Sequence, residues 1–452
     1  MIMPEIVKIR KGLDIRMLGK ADKIYLRAER SSQYAIKPSD FHGVMPKLLV
    51  KPGDRVNVGT ALFFDKYNPE VKFTSPVSGV VSAINRGERR VIQEVVIDAD
   101  AEDSFVSFTT ADPSGLDRQQ ITGLLLEAGL WPLLRQRPYS VIPRPGSEPK
   151  AIFISGFDSA PLAPDLDFMV KDHKDDFQNG IDALKKLCSG KIHLSVDARF
   201  PVTKTFSEAK GVEIHHFKGP HPAGNVGIQI HHIDPINKGE TVWYIRPQDV
   251  ISIGRFFRDG RVDNTCIVSL TGSEVKKPVY YKLIRCAGVS SLLENINSQQ
   301  DVRIISGNVL TGTQVSRHGF LGFYDHQVTV IPEGRYFEFL GWAMPRFGKF
   351  STSRTYFSWL MPSREYKVDT NLNGGHRAFV MTGEYEKVLP MKIHPLHLLK
   401  AILVDDIEKM EQLGIYEVSE EEFALCEFVC TSKADLQQII RQGLDTIRRE
   451  TE

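Results

Sequence analysis

The 452-residue chain has no uninterrupted apolar run near the roughly 20 residues that a membrane-spanning helix needs. Its start, MIMPEIVKIRKGLDI, puts charges where a signal peptide would hold an apolar core. The chain is expected to be cytoplasmic, or a soluble subunit seated on something else. Charge of one sign is missing as well: a formal net charge of +1 argues against a nucleic-acid surface. Cysteine is scarce. Cys188, Cys266, Cys286, Cys426 and Cys430 are odd in number and scattered, unlike a disulfide framework. Only Cys426 and Cys430 stand close, in CEFVC. Zinc and iron–sulfur sites prefer C-x2-C with further ligands nearby, so these two are expected to be buried structural thiols. Nucleotide fingerprints are also lacking. No Walker A sequence occurs, and the turn after the strand AIFISGF reads SGFDSAPLAPD rather than G-x-G-x-x-G.

What is present is a multidomain α/β and α+β pattern, since single cores stop growing near roughly 250–300 residues. Residues 41–100 alternate short apolar runs with Pro-Gly-Asp and Ser-Gly turns, which predicts a compact β unit. GDRVNVG followed by SPVSGVV resembles the lipoyl/biotinyl barrel-sandwich, and Lys66 of FDKYNPE sits near the place of the lipoyl lysine. The following YNPEVKFT does not preserve the carrier hairpin, so the expectation is a β module without the modification. A helix is predicted within 116–136, with Leu116, Ile121, Leu124, Leu125 and Ala128 at helical spacing and Pro132 stopping or kinking it. From 151 to about 260 strands and helices alternate, implying a Rossmann-like parallel sheet without its nucleotide fingerprint. Strands return over 262–330 with one helix, VSSLLENI, as in a β-grasp-like unit. Residues 335–362 interleave Phe, Trp and Tyr with Arg and Lys, either as an interface or as core and connection. The tail is helical: HPLHLLKAILVDDIEKMEQLG carries Leu396, Leu399, Leu403 and Met410 on one side. A capping box joins Ser419 to Glu422, and a last stripe holds Leu436, Ile439, Ile440, Leu444 and Ile447. The expected divisions are 1–115, 116–260, 261–334, 335–390 and 391–452.

The stretch HHFKGPHPAGNVGIQIHH, residues 215–232, holds five of the thirteen histidines. His215 and His216 are adjacent, as are His231 and His232, so each pair splits across its element. Carboxylates are few nearby, with Asp234 the nearest downstream, and no H-E-x-x-H spacing occurs. No metal is expected. Gly219, Gly224 and Gly227 precede and enter a helix predicted to start at Asn225, but no phosphate-loop lysine is present. The expectation is a shaped loop at the carboxyl edge of the sheet, facing a partner through His221, Asn225, His231 and His232.

Longer strings carry a more specific signal. IRKGLDI, FTSPVSGVVSAINRGERRVIQ, GPHPAGNVGIQIHHIDPINKGE, ISGNVLTGT, GFLGFYDHQVTVIPEG, GGHRAFVMTGEYEKVLPM and IYEVSEEEFALCEFVCTSK follow in order along nearly the whole chain. Together they resemble the A subunits of the sodium-translocating NADH:quinone oxidoreductase. The resemblance implies a peripheral subunit on the cytoplasmic face of the bacterial inner membrane, in a six-subunit complex that oxidises NADH, reduces ubiquinone and exports sodium. Its partners are then the other five subunits, chiefly the membrane B subunit, and ubiquinone. The complex uses NADH, flavins and iron–sulfur centres. This chain is expected to bind no cofactor and to hold no catalytic residue. Two relatives of the family, the C subunit of the Rnf complex and the flavin subunit of respiratory complex I, hold FMN on a glycine-rich loop after an EAG-type helix. Here LLLEAGLW is followed by PLLRQRPYSVIP, whose Leu133, Leu134, Arg135 and Arg137 oppose the close backbone approach a flavin phosphate needs. CEFVC keeps two cysteines where a cluster takes four. Trp131, Leu134, Arg135, Arg137 and Tyr139 are the residues expected near a quinone headgroup; filling the vacated flavin pocket is the other reading. The competing functions are an autonomous flavin-containing NADH dehydrogenase and a purely structural assembly subunit.

Overall fold

A computed structural model describes residues 5–297, 301–336, 338–341 and 344–451. The alternating pattern of the first hundred residues builds the first sheet unit, a sandwich of two small layers. One runs in the order Gln33–Ile36, Ile92–Ala99, Gly79–Arg86, Arg55–Val56, and the other in the order Pro46–Leu48, Ala61–Asp65, Lys72–Thr74. Leu62, Phe63, Phe73, Val81, Val95 and Ile97 are buried in their core. The glycine of SPVSGVV is required: a Cβ on Gly79 would stand 2.0 Å from the Asp98 carbonyl oxygen. Lys66 is exposed on the turn between two strands of the smaller sheet.

This unit is tied to the rest of the chain at Asp40, whose Oδ2 accepts from the Phe323 N–H at 2.8 Å. Burial pushes the Asp40 carboxyl up to about 6, against the pull of Lys37. The folded state therefore holds this proton more tightly than the unfolded chain. Its contribution is full below the unfolded value near 4 and is lost as pH rises through about 6. Relative to Asp40→Asn, the wild type should lose on the order of 2–3 kcal/mol between about pH 4 and pH 7, read as urea midpoints. A pH-independent difference between the two proteins would contradict the assignment.

The second sheet is ordered Ile6–Lys8, Glu213–Lys218, Lys191–Asp197, Ala151–Ser155, Val242–Ile245, Arg135–Arg137. All neighbours are parallel except the last, where Arg135–Arg137 runs antiparallel to Val242–Ile245. Side chains of Ala151–Ser155 alternate between two cores. Ile152 and Ile154 join the large core with Phe177, Ile181 and Phe256, while Ala151 and Phe153 pack with Val226 and Ile230. Helices Lys174–Leu187 and Pro247–Asp259 approach closely at their glycines. A Cβ on Gly254 would lie 1.8 Å from the Asp176 oxygen, and one on Gly180 would lie 2.1 Å from the Val250 oxygen.

The predicted helix within 116–136 is shorter than its pattern. It spans Arg118–Glu127, opens on an Asp117–Gln120 capping box and ends at Gly129, whose φ is +68°. Gly129, rather than Pro132, therefore terminates it. The loop then makes a 3-10 turn at Trp131–Leu133 and becomes the edge strand Arg135–Arg137.

A third sheet runs Thr313–Val315, Val302–Ser306, Gln327–Pro332, Thr265–Thr271, Val279–Ile284, Asp22–Arg27. The expected helix VSSLLENI is a 3-10 segment, Val289–Asn295. Two strands from the N-terminal stretch thus complete sheets built mainly from distant sequence: Ile6–Lys8 pairs with Glu213–Lys218, and Asp22–Arg27 with Val279–Ile284.

The tail folds as helices. Pro395–Leu403 and Ile407–Gln412 are separate, with Asp406 capping the second, so the single helix expected there is broken. Leu396, Leu399 and Met410 are buried as expected, but Leu403 is exposed at the break. The capping box at Ser419 forms, and Leu436, Ile440, Leu444 and Ile447 are buried while Ile439 is half-buried. Cys426 and Cys430 are fully buried; burial pushes the Cys426 thiol up, and Tyr385 Oη lies 2.9 Å from Cys430 Sγ. In the aromatic stretch Phe337 and Trp342 lie outside the described residues. Phe339, Phe347 and Trp359 are exposed, and Tyr356 is buried with its hydroxyl donating to the Gly341 oxygen at 3.0 Å. No described helix is long and apolar enough to cross a membrane.

Candidate functional site

Strand order in the parallel sheet reverses between Ala151–Ser155 and Val242–Ile245. At such a switch point the connections leave in opposite directions and open a crevice beyond the carboxyl ends of the strands. A cavity of about 150 Å³ lies there, lined by Ser155 from one strand, Tyr244 and Ile245 from the other, and Arg246 just beyond it. The loop after Ala151–Ser155 adds Phe157 and Asp158; the third sheet contributes Asp325, His326 and Gln327; Glu421 enters from the C-terminal helices.

Its polar groups fall into two sets. The first is satisfied internally. Ser155 Oγ shares its proton between the Phe157 and Gly224 oxygens and accepts from Gln229 Nε2 at 2.8 Å. His221 Nδ1 lies 3.0 Å from Ser159 Oγ, and burial pushes His221 down to about 4, so it is neutral at pH 7. The second set faces the cavity with capacity to spare. Arg135 is stacked between the rings of Tyr244 and Tyr324, at 5.1 and 4.8 Å from their centroids. Among the described residues neither Arg135 nor Arg246 is in a salt bridge. His326 Nδ1 accepts from Gln248 Nε2 at 2.8 Å, and the Gln248 amide is oriented by two bonds to the Ile267 backbone. The proton of the neutral ring therefore sits on Nε2, which is buried without a partner. Burial, with Arg246 and Arg285 nearby, holds His326 far below its ordinary value and keeps it neutral. An unmet buried donor costs about 1–3 kcal/mol. His326 borders the cavity through the rest of its ring.

The five loop residues expected near a quinone are not together. Arg135 alone lines the cavity. Trp131 is buried, donates from Nε1 to the Pro143 oxygen and packs edge-on against Trp243. Leu134 is fully buried, Arg137 is buried against Glu421 and Glu422, and Tyr139 is buried with its hydroxyl near Thr451. Arg135 and Arg137 are two apart on the edge strand and both flank the Tyr244 ring, at 5.1 and 5.5 Å. They differ in their partners: two glutamates hold the Arg137 guanidinium inside the fold, which leaves Arg135 to face the cavity.

The histidine-rich loop turns mainly onto its own chain. Asn225 caps helix Val226–Ile233 by position, and its Nδ2 donates to the Glu421 oxygen at 3.0 Å. His231 Nδ1 donates to Glu417 at 2.6 Å while its Nε2 accepts from the Lys392 N–H. Of the four residues expected to face a partner only His232 is exposed. His326 escaped the sequence reading. It stands in the string GFYDHQVTVIPEG, but only the packing of the third sheet against helix Pro247–Asp259 brings it to the cavity.

Family models match most of this architecture. The NqrA N-terminal barrel-sandwich hybrid domain covers residues 7–100, the NqrA second alpha/beta domain residues 116–262, and the NQRA C-terminal domain residues 267–317. The A subunit of the Na(+)-translocating NADH-quinone reductase of Haemophilus influenzae (strain PittGG) is 40% identical over 451 residues, covering 98% of this chain and 100% of that protein. The chain belongs to this family. The corresponding protein of Yersinia pestis bv. Antiqua (strain Angola) is likewise 40% identical, over 447 residues and with the same coverage. A solved NAD+-reducing nickel–iron hydrogenase in its H2-reduced state aligns with 50% of this chain and 49% of its own, at 11% identity and a TM-score of 0.37, too weak a likeness to bear on the site. In this member of the family the cavity at the sheet's switch point is thus framed by the second and third matched domains and the C-terminal helices.

Proposed function

We propose that this A subunit sits peripherally on the cytoplasmic side of a six-subunit Na(+)-translocating NADH-quinone reductase, caps its membrane subunits, chiefly the B subunit, and shapes a quinone headgroup site. Its parallel sheet is read as Rossmann-like and the third sheet as β-grasp-like, neither carrying a redox cofactor. The exposed Phe339, Phe347 and Trp359 support the capping role, since aromatic groups beside arginines such as Arg354 suit a protein interface. The headgroup reading rests on one observation: a ring-sized cavity bordered by Arg135, which is in no salt bridge among the described residues, and by His326, whose buried Nε2–H has no partner. A space of about 150 Å³ has room for one six-membered ring. Tyr244 and Phe157 supply flat apolar wall, and His326 and Arg135 supply donors to the two carbonyls.

The test is made in the assembled complex. Arg135→Ala and His326→Phe should each raise the quinone KM by about tenfold or more, the loss of roughly 1.4 kcal/mol or more of binding, while NADH oxidation by an artificial acceptor is unchanged. Unchanged quinone KM in both variants would leave only the assembly role.

A further inference from the structure

Away from the cavity, the first pair of the histidine-rich stretch meets groups that its own sequence neighbourhood does not announce. Strand Glu213–Lys218 lies parallel to Lys191–Asp197, with His193 opposite Glu213 and Ser195 opposite His215. Because side chains alternate, Glu213 and His215 share one face, and His193 stands on that same face one strand away. His216 goes to the other. The result is a convergence of three donors. His193 Nδ1 and His215 Nε2 are 2.9 Å apart, and Glu213 Oε2 is 3.7 Å from His193 Nδ1. One ligand atom from each of the three residues falls within 4.8 Å of the others.

We propose that His193, Glu213 and His215 bind one divalent transition-metal ion of the zinc class, clamping these two strands near the sheet's edge. Two nitrogens at about 2.0–2.1 Å from a tetrahedral ion stand about 3.3 Å apart, so the imidazoles need to part by only a few tenths of an ångström. Two nitrogens and one carboxylate oxygen form a donor set that zinc favours over magnesium or calcium. The two rings now share a hydrogen bond, which occupies one of the facing nitrogens with a proton. Binding moves that proton to the far nitrogen of the same ring, so both facing lone pairs are free and no net proton need leave the histidines.

The surroundings hold the three groups in place. Phe153 packs its ring 4.7 Å from that of His193, which is buried. Lys191 Nζ donates to Glu213 Oε1 at 2.7 Å, leaving Oε2 for the histidines. A ligating carboxylate oriented through its second oxygen is a common outer arrangement of metal sites. Glu213 is exposed, so the ion has a solvent path and water completes its shell.

Full-length protein stripped with a chelator and titrated with Zn2+ alone tests this. One equivalent should bind at micromolar Kd or tighter and raise the melting temperature. His215→Ala and Glu213→Gln should each weaken binding at least tenfold and abolish the shift in melting temperature, with the chelated melting temperature of Glu213→Gln unchanged because that side chain is exposed. Failure of the wild type to bind one equivalent at 100-fold the protein concentration would overturn the proposal. So would equal binding by Glu213→Gln, which places any ion on other histidines even if His215→Ala does not fold.

Discussion

Arg137→Ala is expected to destabilise the protein by about 3–5 kcal/mol, the range for breaking one side of a buried ion pair. Arg137 is 1% exposed and Glu422 wholly buried; Nη1 donates to Glu422 Oε2 at 3.0 Å, while Nη2 reaches Glu421 Oε1 at 2.5 Å. Glu422 also accepts from Ser419 N and Oγ at 2.9 and 2.8 Å, so its capping box survives the substitution. What is lost is the cation that joins the edge strand Arg135–Arg137 to helix Glu420–Val429. Glu422 also lies against helix Val226–Ile233, where a Cβ on Gly227 would be 2.5 Å from Oε1, so without Arg137 the buried carboxyl has no room for a water shell and is driven to take up a proton. Urea midpoints measure the loss, and hydrogen exchange should quicken across 420–447. Arg137→Lys should restore only part of it, because one ammonium cannot repeat a fork shared by two carboxylates. A loss below about 1 kcal/mol for Arg137→Ala would show that this contact does not hold the helices.

Arg137 also marks the limit of what the sequence makes legible. Roles set by local chemistry are readable: the Ser419–Glu422 box, the helix start at Asn225, the glycine turns of the barrel-sandwich, the alternation of strands and helices in the parallel sheet. Roles set by pairing over long separations are not. Ile6–Lys8 and Asp22–Arg27 are too short for periodicity to assign them to sheets whose other strands lie more than a hundred residues away. The family resemblance places Trp131, Leu134, Arg137 and Tyr139 near a quinone, yet those same groups are good core material, and packing has buried them. His193 and His326 are ordinary histidines until a strand register or a helix contact gives each its neighbours.

The largest remaining effect is expected at Asp249, where substitution and charge removal should part company. Asp249 lies in the first turn of helix Pro247–Asp259, and its carboxylate takes Arg285 Nη2, with both side chains at most 5% exposed. The negative charge is also placed where a helix N-terminus favours it. Arg285 is further held by donating to the Phe323 oxygen at 2.9 Å and by stacking 4.7 Å over the Phe323 ring. Asp249→Ala leaves that guanidinium buried and uncompensated, at a cost of about 3–5 kcal/mol. The double substitution Asp249→Leu with Arg285→Met removes both charges and restores apolar volume. It should cost clearly less than Asp249→Ala alone, because neither desolvated ion remains. Denaturation midpoints of the double variant and of its two single substitutions read the coupling, and additive losses would contradict it. The neighbouring Gln248 sits in the same helical turn and fixes the His326 tautomer. Asp249→Ala should therefore also weaken quinone saturation in the complex, whereas the double substitution, which keeps the turn packed, should not.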